Sequence, residues 1–335
     1  MPANAYTLKR FLLMTLDPLH VGTGGYRLGR VDLSIVREPG THLPKIPGTS
    51  LHGAIRSYAA MPYEKPQCAG QKGQCGQPTC PICYTFGSVR GQGGGNAGAV
   101  SIFDARLLLF PVHSLAGPVW VTSPMALADV GVTGQTVSEN KARWPDSLSN
   151  NNKLNFGWLM LQRDGDGWNL PNNALANVPG EIRSRLVLVS DKLFSQIVNS
   201  NLEVRTSVSI NPATGAAEEG ALFTYEALPR AAILWMDVVE DDYQRKQGQK
   251  SPFPIDKKSK VETQKDSNGK ETKIYHDNAG GSLGEVWNNP LDVVRAGLGL
   301  IEYLGVGGMG TRGFGRVKTL NLPDEKEQQK GEDHA

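Results

Sequence analysis

The chain has 335 residues, of which 39% are hydrophobic and 20% are charged, a composition typical of globular proteins and not of disordered or fibrous ones. The formal net charge is only +2, so contacts with nucleic acid would have to come from local clusters of charge. No window reaches the roughly 18 consecutive apolar residues of a membrane span, and the first residues lack the cleavage pattern of a signal peptide. We therefore expect a cytoplasmic protein without a membrane partner.

Apolar periodicity, prolines and glycines predict alternating strands and helices along the chain. The first half contains a strand over 7–16, an extended segment over 43–48, a helix capped by Thr49 or Ser50 and ending near Ala60, and a bent strand or strand pair over 100–112. The second half contains strands over 154–161 and 202–210, a helix over 181–198, a strand pair over 221–226 and 231–239, a helix over 283–304, and a last strand after Arg316.

This order favours an α+β protein, with a ferredoxin-like core interrupted by large insertions in a single domain over 1–335. Three insertions are distinguished by composition: a cysteine-rich insert over 62–99, a long hairpin over 200–230, and a polar segment over 240–282. The polar segment is too charged to form a core, so we expect a mobile loop or an extended hairpin there. The polar tail over 323–335 is expected to be flexible.

Four cysteines lie close together in the first insert, and the last two form a CxxC pair (CPIC). In a chain without a secretion signal, such a cluster indicates a metal site more than disulfides. Four thiolates complete the tetrahedral shell of Zn²⁺ and leave no open position, which is typical of a structural site. We therefore expect structural Zn²⁺ at Cys68, Cys75, Cys80 and Cys83; four unliganded thiols and a redox role for CPIC are the alternatives.

A glycine-rich loop follows the first predicted strand, with His20 near its start and Asp32 near its end. An imidazole and a carboxylate on one loop suit general acid–base chemistry or divalent metal binding beside a phosphodiester. An aspartate in a loop also commonly caps a turn. The pattern alone therefore leaves a catalytic and a structural role open for both residues.

A second glycine-rich loop, GVGGMGTRGFGRV, precedes the last predicted strand. Glycines such as Gly307 and Gly310 let backbone N–H groups approach phosphate, and Arg312 and Arg316 add charge. The loop follows a helix and precedes a strand, which is the wrong order for a dinucleotide-binding motif. Contact with a phosphate or RNA backbone and a plain flexible turn are the two interpretations.

The predicted hairpin over 205–229 has a polar tip around 211–215 and carries Tyr225 and Glu226 near its base. Such an arm can pack on a neighbouring molecule, or it can insert between bases through an apolar side chain. Tyr225 and Glu226 can equally be ordinary strand residues.

Several segments resemble the RAMP superfamily, and they occur in the order of that family. They are LHVGTGGYRLGRVDLSIVRE with LPKIPGTSLHGAIR, then SIFDARLLLFPVHSL with GPVWVTSPMAL, EEGALFTYEALP and GVGGMGTRGFGRV. Together they extend from about residue 8 to 318. Within the superfamily they are most similar to the backbone subunits of type III-B (Cmr-type) CRISPR complexes, and SIFDARLLLFPV argues against the Csm-type relatives.

The resemblance implies an RRM-like core with fingers, a palm and a β-hairpin thumb. It implies an endoribonuclease that cleaves target RNA at regular intervals with Mg²⁺ or Mn²⁺. The implied partners are the guide CRISPR RNA, the complementary target RNA, further copies of the chain, and other Cmr subunits, including the large polymerase-like subunit and the small helical subunit.

The resemblance also implies roles for particular residues. Asp32 matches the catalytic aspartate of the family, His20 matches its LHVG histidine, and Tyr225 with Glu226 falls at its acidic and aromatic thumb element. The inferred catalytic set is Asp32, His20, Tyr225 and Glu226. His52 stands where the family usually has a long basic residue. The inferred RNA-binding set is His52, Arg56, Arg205, Gly307, Gly310, Arg312 and Arg316.

Three points stay open at this stage. Asp32 could hold a metal ion or accept the proton of a ribose 2′-hydroxyl. The chain could instead be a non-catalytic guide-RNA-binding filament subunit or a Csm-type relative. It could also be a nuclease of the same superfamily that processes guide RNA, although such an enzyme would more often act alone and depend on a histidine.

Overall fold

A computed structural model describes residues 6–24, 31–70, 73–89, 95–171, 173–218, 222–246, 248, 250–265, 271–277 and 285–322. The predicted tail over 323–335 lies outside these residues, as do Gly25 and Gly29 of the first glycine loop. The chain forms two compact units. Unit 1 consists of Met1–Arg10, Gly48–Asp104 and Asp237–Leu304, and unit 2 consists of Phe11–Pro47, Ala105–Met236 and Gly305–Ala335.

The helices are short except for two. They are α1 (Gly48–Ala60), α2 (Pro81–Phe86), α3 (Pro124–Asp129), α4 (Gly180–Arg183), α5 (Asp191–Ser200), α6 (Tyr243–Lys246) and α7 (Pro290–Leu304). None of the helices within the described ranges is both long enough and apolar enough to cross a membrane.

The strands are more numerous and mostly short. In chain order they are β1 (Thr7–Thr15), β2 (Lys45–Ile46), β3 (Val100–Ile102), β4 (Ala105–Ser114), β5 (Gly117–Thr122), β6 (Lys141–Arg143), β7 (Lys153–Phe156), β8 (Leu159–Arg163), β9 (Leu186–Val189), β10 (Glu203–Ser207), β11 (Phe223–Ala227), β12 (Ile233–Glu240), β13 (Ile255–Asp256), β14 (Lys260–Lys265), β15 (Glu271–His276), β16 (Val286–Trp287) and β17 (Val317–Thr319).

A mixed sheet with the strand order β17-β1-β12-β4-β5-β9-β6-β8-β7 organises unit 2. Along the chain, β1, α1, β4, β12, α7 and β17 follow one another as strand, helix, strand, strand, helix and strand, which is the order of a ferredoxin-like fold. The central strands are apolar and buried: all four residues of β9 and the first four of β12 are shielded from solvent. Such strands form readily because β-branched and aliphatic side chains fill both faces of a covered sheet.

Two predicted elements differ in the structure. The helix predicted over 181–198 is divided into α4, β9 and α5, because the apolar run LVLV forms a buried strand and Ser190 then caps α5 by accepting a hydrogen bond from Leu193 N–H. The strand predicted over 221–226 does not pair with the strand predicted over 231–239. Instead β11 pairs with β10, whereas β12 pairs with β3 and β4.

The polar insertion and the last helix are also more finely divided than the pattern indicates. The segment over 240–282 contains the antiparallel hairpin β14–β15, and every residue of β14 is exposed. The helix predicted over 283–304 begins at Pro290, a residue whose fixed φ and missing N–H suit the first turn of a helix.

The core of unit 1 is built on the contact between α1 and α7. Leu51 and Ile55 of α1 and Leu298 and Ile301 of α7 are almost completely buried. Gly297 lies at the point of closest approach, where a Cβ would collide with the backbone carbonyl oxygen of Ile55. The two helices can approach this closely because position 297 has no side chain.

We predict that Gly297→Ala destabilises the protein by about 1–3 kcal/mol, because the added methyl group must push α1 and α7 apart. Gly299→Ala is the matched control, since the same helix has open space at that position. It should be neutral or stabilising by about 0.5–1 kcal/mol through helix propensity. The free energy of unfolding from denaturant titration measures both, and equal effects of the two variants would contradict this account of the helix contact.

Candidate functional site

Strand β11 in unit 2 has two edges with different partners. One edge pairs with β10, where Thr206 lies opposite Thr224. The other edge, which we call the loop edge, is joined by the loop that follows β1. Leu33 N–H donates to the Thr224 carbonyl at 3.0 Å, and Leu19 and Leu228 exchange hydrogen bonds of 2.8 and 2.9 Å. The loop that carries His20 and Asp32 is therefore fixed to β11.

Asp32 is bound to β11 through one of its carboxylate oxygens. Oδ2 accepts hydrogen bonds from the Thr224 N–H at 2.7 Å and from the Thr224 hydroxyl at 2.9 Å. The Thr224 N–H and then its hydroxyl lower the pKa of Asp32, because both bonds favour the ionised carboxylate. Within the described residues no hydrogen bond reaches Oδ1. Asp32 is thus a partly exposed anion with one oxygen held and the other available to a ligand.

His20 is bound to the same edge two residues further along β11. Its Nδ1 lies 2.6 Å from the Glu226 carbonyl oxygen, and since a carbonyl can only accept, the ring proton is on Nδ1. The residue is only 6% exposed, and its ring meets the Tyr225 ring edge-on at 6.1 Å. Two strand residues span roughly 6.6 Å, which is the separation of the points where Asp32 and His20 attach to β11.

Tyr225 and Glu226 are held in the interior by contacts of their own. The ring of Tyr225 is buried against Phe314, with centroids 5.4 Å apart. The Glu226 carboxylate accepts hydrogen bonds from the Arg37 guanidinium at 2.8 Å and from the Ile35 N–H at 3.4 Å. The Glu226 contacts attach the segment after Asp32 to β11, and the Tyr225 ring packs on the second glycine-rich loop. We therefore give neither residue a catalytic part in the function proposed below.

The second glycine-rich loop lies against His20. The Gly308 N–H donates to the His20 carbonyl at 2.8 Å, and a Cβ on Gly307 would lie 2.5 Å from the same oxygen. Gly307 has a φ of +90°, which only glycine adopts without strain. Gly310, in contrast, has nothing within 4 Å of a Cβ position and is open to the surroundings.

Arginines surround this part of unit 2. Arg205 lies over the Phe314 ring at 4.7 Å, and Arg312 lies over the Phe223 ring. Arg316 forms an ion pair with Asp17 through two hydrogen bonds of 2.5 and 3.2 Å. The pKa of Asp17 is lowered first by the hydrogen bond from Arg316 and then by the charges of Arg316, Arg230 and Arg205. Arg205, Arg230 and Arg316 are thus close enough to share one electrostatic field.

His52 and Arg56 belong to α1 in unit 1 and contact the cysteine insert. The His52 ring packs edge-on against Phe86 at 5.4 Å, and burial followed by the Arg56 charge lowers the pKa of His52. Arg56 is 5% exposed and donates to the carbonyls of Cys68 at 2.8 Å and Gly87 at 2.7 Å. Since its guanidinium is used inside the unit, we leave Arg56 out of the proposed RNA contacts.

The four cysteines of unit 1 converge on one point. All four Sγ atoms lie within 4.8 Å of one another, although the cysteines are up to 15 residues apart in sequence. Sulfur–sulfur distances are 3.5 Å for Cys68–Cys75 and 3.8 Å for both Cys75–Cys83 and Cys68–Cys80. A tetrahedral zinc ion with bonds of about 2.3 Å requires sulfur atoms roughly 3.8 Å apart. The cluster therefore has the donor set and dimensions for Zn²⁺.

Two cations lie beside this cluster. The Arg56 guanidinium is 3.9 Å from the Cys83 sulfur, and the buried Lys65 ammonium donates to Asp277 at 2.8 Å. Burial alone would lower the pKa of Lys65, but the negative charges of Cys80, Asp277 and Cys75 raise it above its ordinary value. A zinc ion with four thiolates carries two negative charges, and Arg56 and Lys65 supply positive charge next to it.

The comparisons with known proteins agree with this geometry. The model of the RAMP superfamily matches residues 12–318. This chain is a member of the RAMP superfamily. The CRISPR system Cmr endoribonuclease Cmr4 of Pyrococcus furiosus is 30% identical over 243 residues, which are 67% of this chain and 78% of that protein. The resemblance to Cmr-type RAMP subunits predicted from the sequence is thereby confirmed.

Two solved structures share the fold of this RAMP protein. A chain of the type III-B Cmr-beta complex bound to cognate target RNA has a TM-score of 0.58 at 14% identity, over 95% of this chain and 99% of that chain. Oligomeric Cmr4 from Pyrococcus furiosus has a TM-score of 0.52 at 19% identity, over 95% of this chain and 100% of that chain. The predicted α+β RAMP fold is confirmed by these matches.

Four residues that the sequence patterns did not indicate lie in this RAMP protein near the Asp32 loop or near the cysteine cluster. Thr224 and Arg230 lie close to Asp32 and Asp17 respectively, and Lys65 and Asp277 lie beside the cysteines. Thr224 is 192 residues from Asp32 in sequence, so no local pattern indicated their contact. Asp277 is 212 residues from Lys65, and no local pattern connects them.

We predict that Tyr225→Phe leaves the free energy of unfolding almost unchanged, because among the described residues the Tyr225 hydroxyl has only a long contact of 3.5 Å, with Ser207. Tyr225→Ala should lower it by about 3–5 kcal/mol through the loss of buried ring contacts. Denaturant titration of both variants checks this. A phenylalanine variant as unstable as the alanine variant would show that the hydroxyl, and not the ring, holds this region together.

Proposed function

We propose that this RAMP protein is the repeated backbone subunit of a type III-B CRISPR interference complex, and that it cleaves target RNA paired with the guide RNA through Asp32. The observation that carries the proposal is the geometry of that residue: Thr224 holds Oδ2 through two hydrogen bonds, and no hydrogen bond from the described residues reaches Oδ1. Its relative from Pyrococcus furiosus is named an endoribonuclease, which supports a cleaving subunit over a purely structural one.

RNA contacts are proposed for the arginines of unit 2 and the glycine loop beside them. Arg205, Arg312 and Arg316 offer charge and planar guanidinium groups, and Gly307 and Gly310 allow close approach of a phosphate. Such contacts read backbone and shape, so they suit a guide whose sequence varies. His52 is neutral at pH 7 because its pKa is lowered, so its contact with RNA would be a hydrogen bond and not an ion pair.

The β10–β11 hairpin is proposed to displace a nucleotide of the target. Beyond its paired strands it carries the exposed apolar side chains of Val208, Ile210 and Leu222, at 45%, 54% and 67% exposure. Apolar side chains inserted at a base step unstack it. The target strand would then be distorted next to the strand that holds Asp32, and the duplex elsewhere would stay paired.

The proposed reaction uses the ribose of the target as the nucleophile. The 2′-oxygen attacks the adjacent phosphorus, the bond to the 5′-oxygen breaks, and the 2′-proton is transferred in net terms to that leaving oxygen. A-form geometry disfavours the in-line arrangement, so a displaced nucleotide contributes by orientation. The lowered pKa of Asp32 keeps it ionised, which suits charge stabilisation better than proton abstraction, because a general base works best with a pKa near the working pH.

A divalent metal ion is part of this proposal. Mg²⁺ is usually held by one or two carboxylates and completes its shell with water and phosphate oxygens, and the outward Oδ1 of Asp32 fits that requirement. When bound, Mg²⁺ or Mn²⁺ would supply positive charge to the phosphate under attack. His20 contributes by fixing the loop, since its Nδ1–H and its carbonyl are both engaged.

We predict that Asp32→Asn in the assembled complex lowers target cleavage on the order of 10²–10⁴-fold, because the neutral amide of the same shape cannot hold the charge of the site. Target binding should stay unchanged. Asp166→Asn removes one negative charge at an exposed turn of unit 2 and serves as the control. Cleavage assays with labelled target RNA check this, and wild-type cleavage by the Asp32 variant would remove the carboxylate from the mechanism.

A structural zinc ion at Cys68, Cys75, Cys80 and Cys83 is proposed for unit 1. We predict that the purified chain contains one equivalent of zinc by elemental analysis, that Cys80→Ser loses it, and that this loss lowers Tm because metal binding contributes to folding. Asp32→Asn should retain the metal and is the control. Less than about half an equivalent in the unaltered chain would reject a closed four-thiolate site.

A further inference from the structure

Thr224 is connected to the Asp32 loop by an unusually complete set of hydrogen bonds. Its N–H and its hydroxyl both donate to Asp32 Oδ2, its Oγ1 accepts from the Asp32 N–H at 3.2 Å, and its carbonyl accepts from the Leu33 N–H at 3.0 Å. Every hydrogen-bonding group of Thr224 is thus directed at residues 32 and 33. One side chain and its own peptide groups fix both the backbone and the carboxylate of Asp32.

The amino-acid sequence before Asp32 imposes few conformational preferences of its own. It is rich in glycine between residues 22 and 29, and glycine leaves the backbone with the greatest conformational freedom. Thr224, in contrast, belongs to a regular strand, and a β-branched side chain in a strand has few accessible rotamers. Of the two residues, Thr224 is therefore the more rigid, and it can hold the Asp32 carboxylate in place.

We propose that Thr224 is the positioning residue for Asp32, holding Oδ2 so that Oδ1 points to the phosphate that is cleaved. This inference rests on the proposed function of Asp32 and adds the element that orients it. Because Thr224 lies on β11, the carboxylate and the arm that displaces the nucleotide share one strand as their frame. A group held within hydrogen-bonding geometry before the reaction has less reorganisation to undergo during it.

The substitution that tests this is Thr224→Val in the assembled complex. Valine keeps the shape of threonine and the backbone N–H bond to Oδ2, but it removes the hydroxyl that donates to Oδ2 and accepts from the Asp32 N–H. Single-turnover cleavage should slow on the order of tenfold, with target affinity unchanged. Thr224→Ser retains the hydroxyl and should restore most of the rate.

The matched control is Thr206→Val. Thr206 is the same residue type, lies directly opposite Thr224 in the hairpin and is exposed. Its substitution removes a hydroxyl from the neighbouring strand of the same arm. Wild-type cleavage by this control would show that the effect at position 224 comes from Asp32 and not from a change in the hairpin.

The rate constant and the amplitude of single-turnover cleavage separate positioning from a general loss of folded protein. A positioning defect slows the rate constant, whereas the fraction of target that is finally cleaved stays that of the unaltered complex. A variant that merely folds less well would lose amplitude and leave the rate constant of the remaining complex unchanged. We expect a slower rate constant with full amplitude for Thr224→Val.

The outcomes are distinguishable from a failure of the proposed function. Wild-type cleavage by Asp32→Asn would end the proposed function itself. Loss of cleavage by Asp32→Asn together with an unaltered single-turnover rate constant of Thr224→Val would overturn the positioning role alone. A Thr224→Ser variant as slow as Thr224→Val would also overturn it, because the hydroxyl is present in serine.

Discussion

The candidate site depends on the pairing of the loop edge of β11 with a loop that is almost 200 residues away in sequence. Leu19, His20, Asp32 and Leu33 attach in turn to this edge through hydrogen bonds of 2.6–3.2 Å. A strand edge left open exposes unpaired N–H and C=O groups. Here those groups are satisfied by the loop that carries His20 and Asp32, so the same contacts complete the strand and organise the candidate site.

Negatively charged groups have different partners in the two units. Around Asp32 the immediate partners are neutral donors, which favour the anion without cancelling it. Around the cysteines, two buried cations lie close to the thiols, and Asp277 is held by Lys65, Tyr63 and Thr79. Within the described residues, the negative charge of Asp32 is thus stabilised without a cation beside it, whereas the negative charge of Asp277 is compensated by the Lys65 ammonium.

Sequence patterns predicted the parts of the molecule that depend on local physics. The first strand and helix α1 follow from apolar periodicity, and the cysteine cluster follows from ligand spacing. The predicted cap of α1 was wrong, because the helix begins at Gly48, so that Thr49 and Ser50 lie within its first turn. The helix predicted over 181–198 was wrong in its centre, because a run of four apolar residues has the same composition in a buried helix and in a buried strand. The role of Thr224 could not be predicted in this way, since its contact with Asp32 spans 192 positions and exists only after the strand and loop have paired.

The neutrality of the groups around Asp32 has a consequence for ionic strength. Salt screens interactions between exposed charges, and it weakens binding wherever arginines release counterions from RNA. The hydrogen bonds from Thr224 to Asp32 involve no second full charge, so dissolved ions have little effect on the orientation of the carboxylate. Raising salt would therefore weaken contacts between RNA and the proposed arginines, whereas it would leave the hydrogen bonds between Thr224 and Asp32 in place.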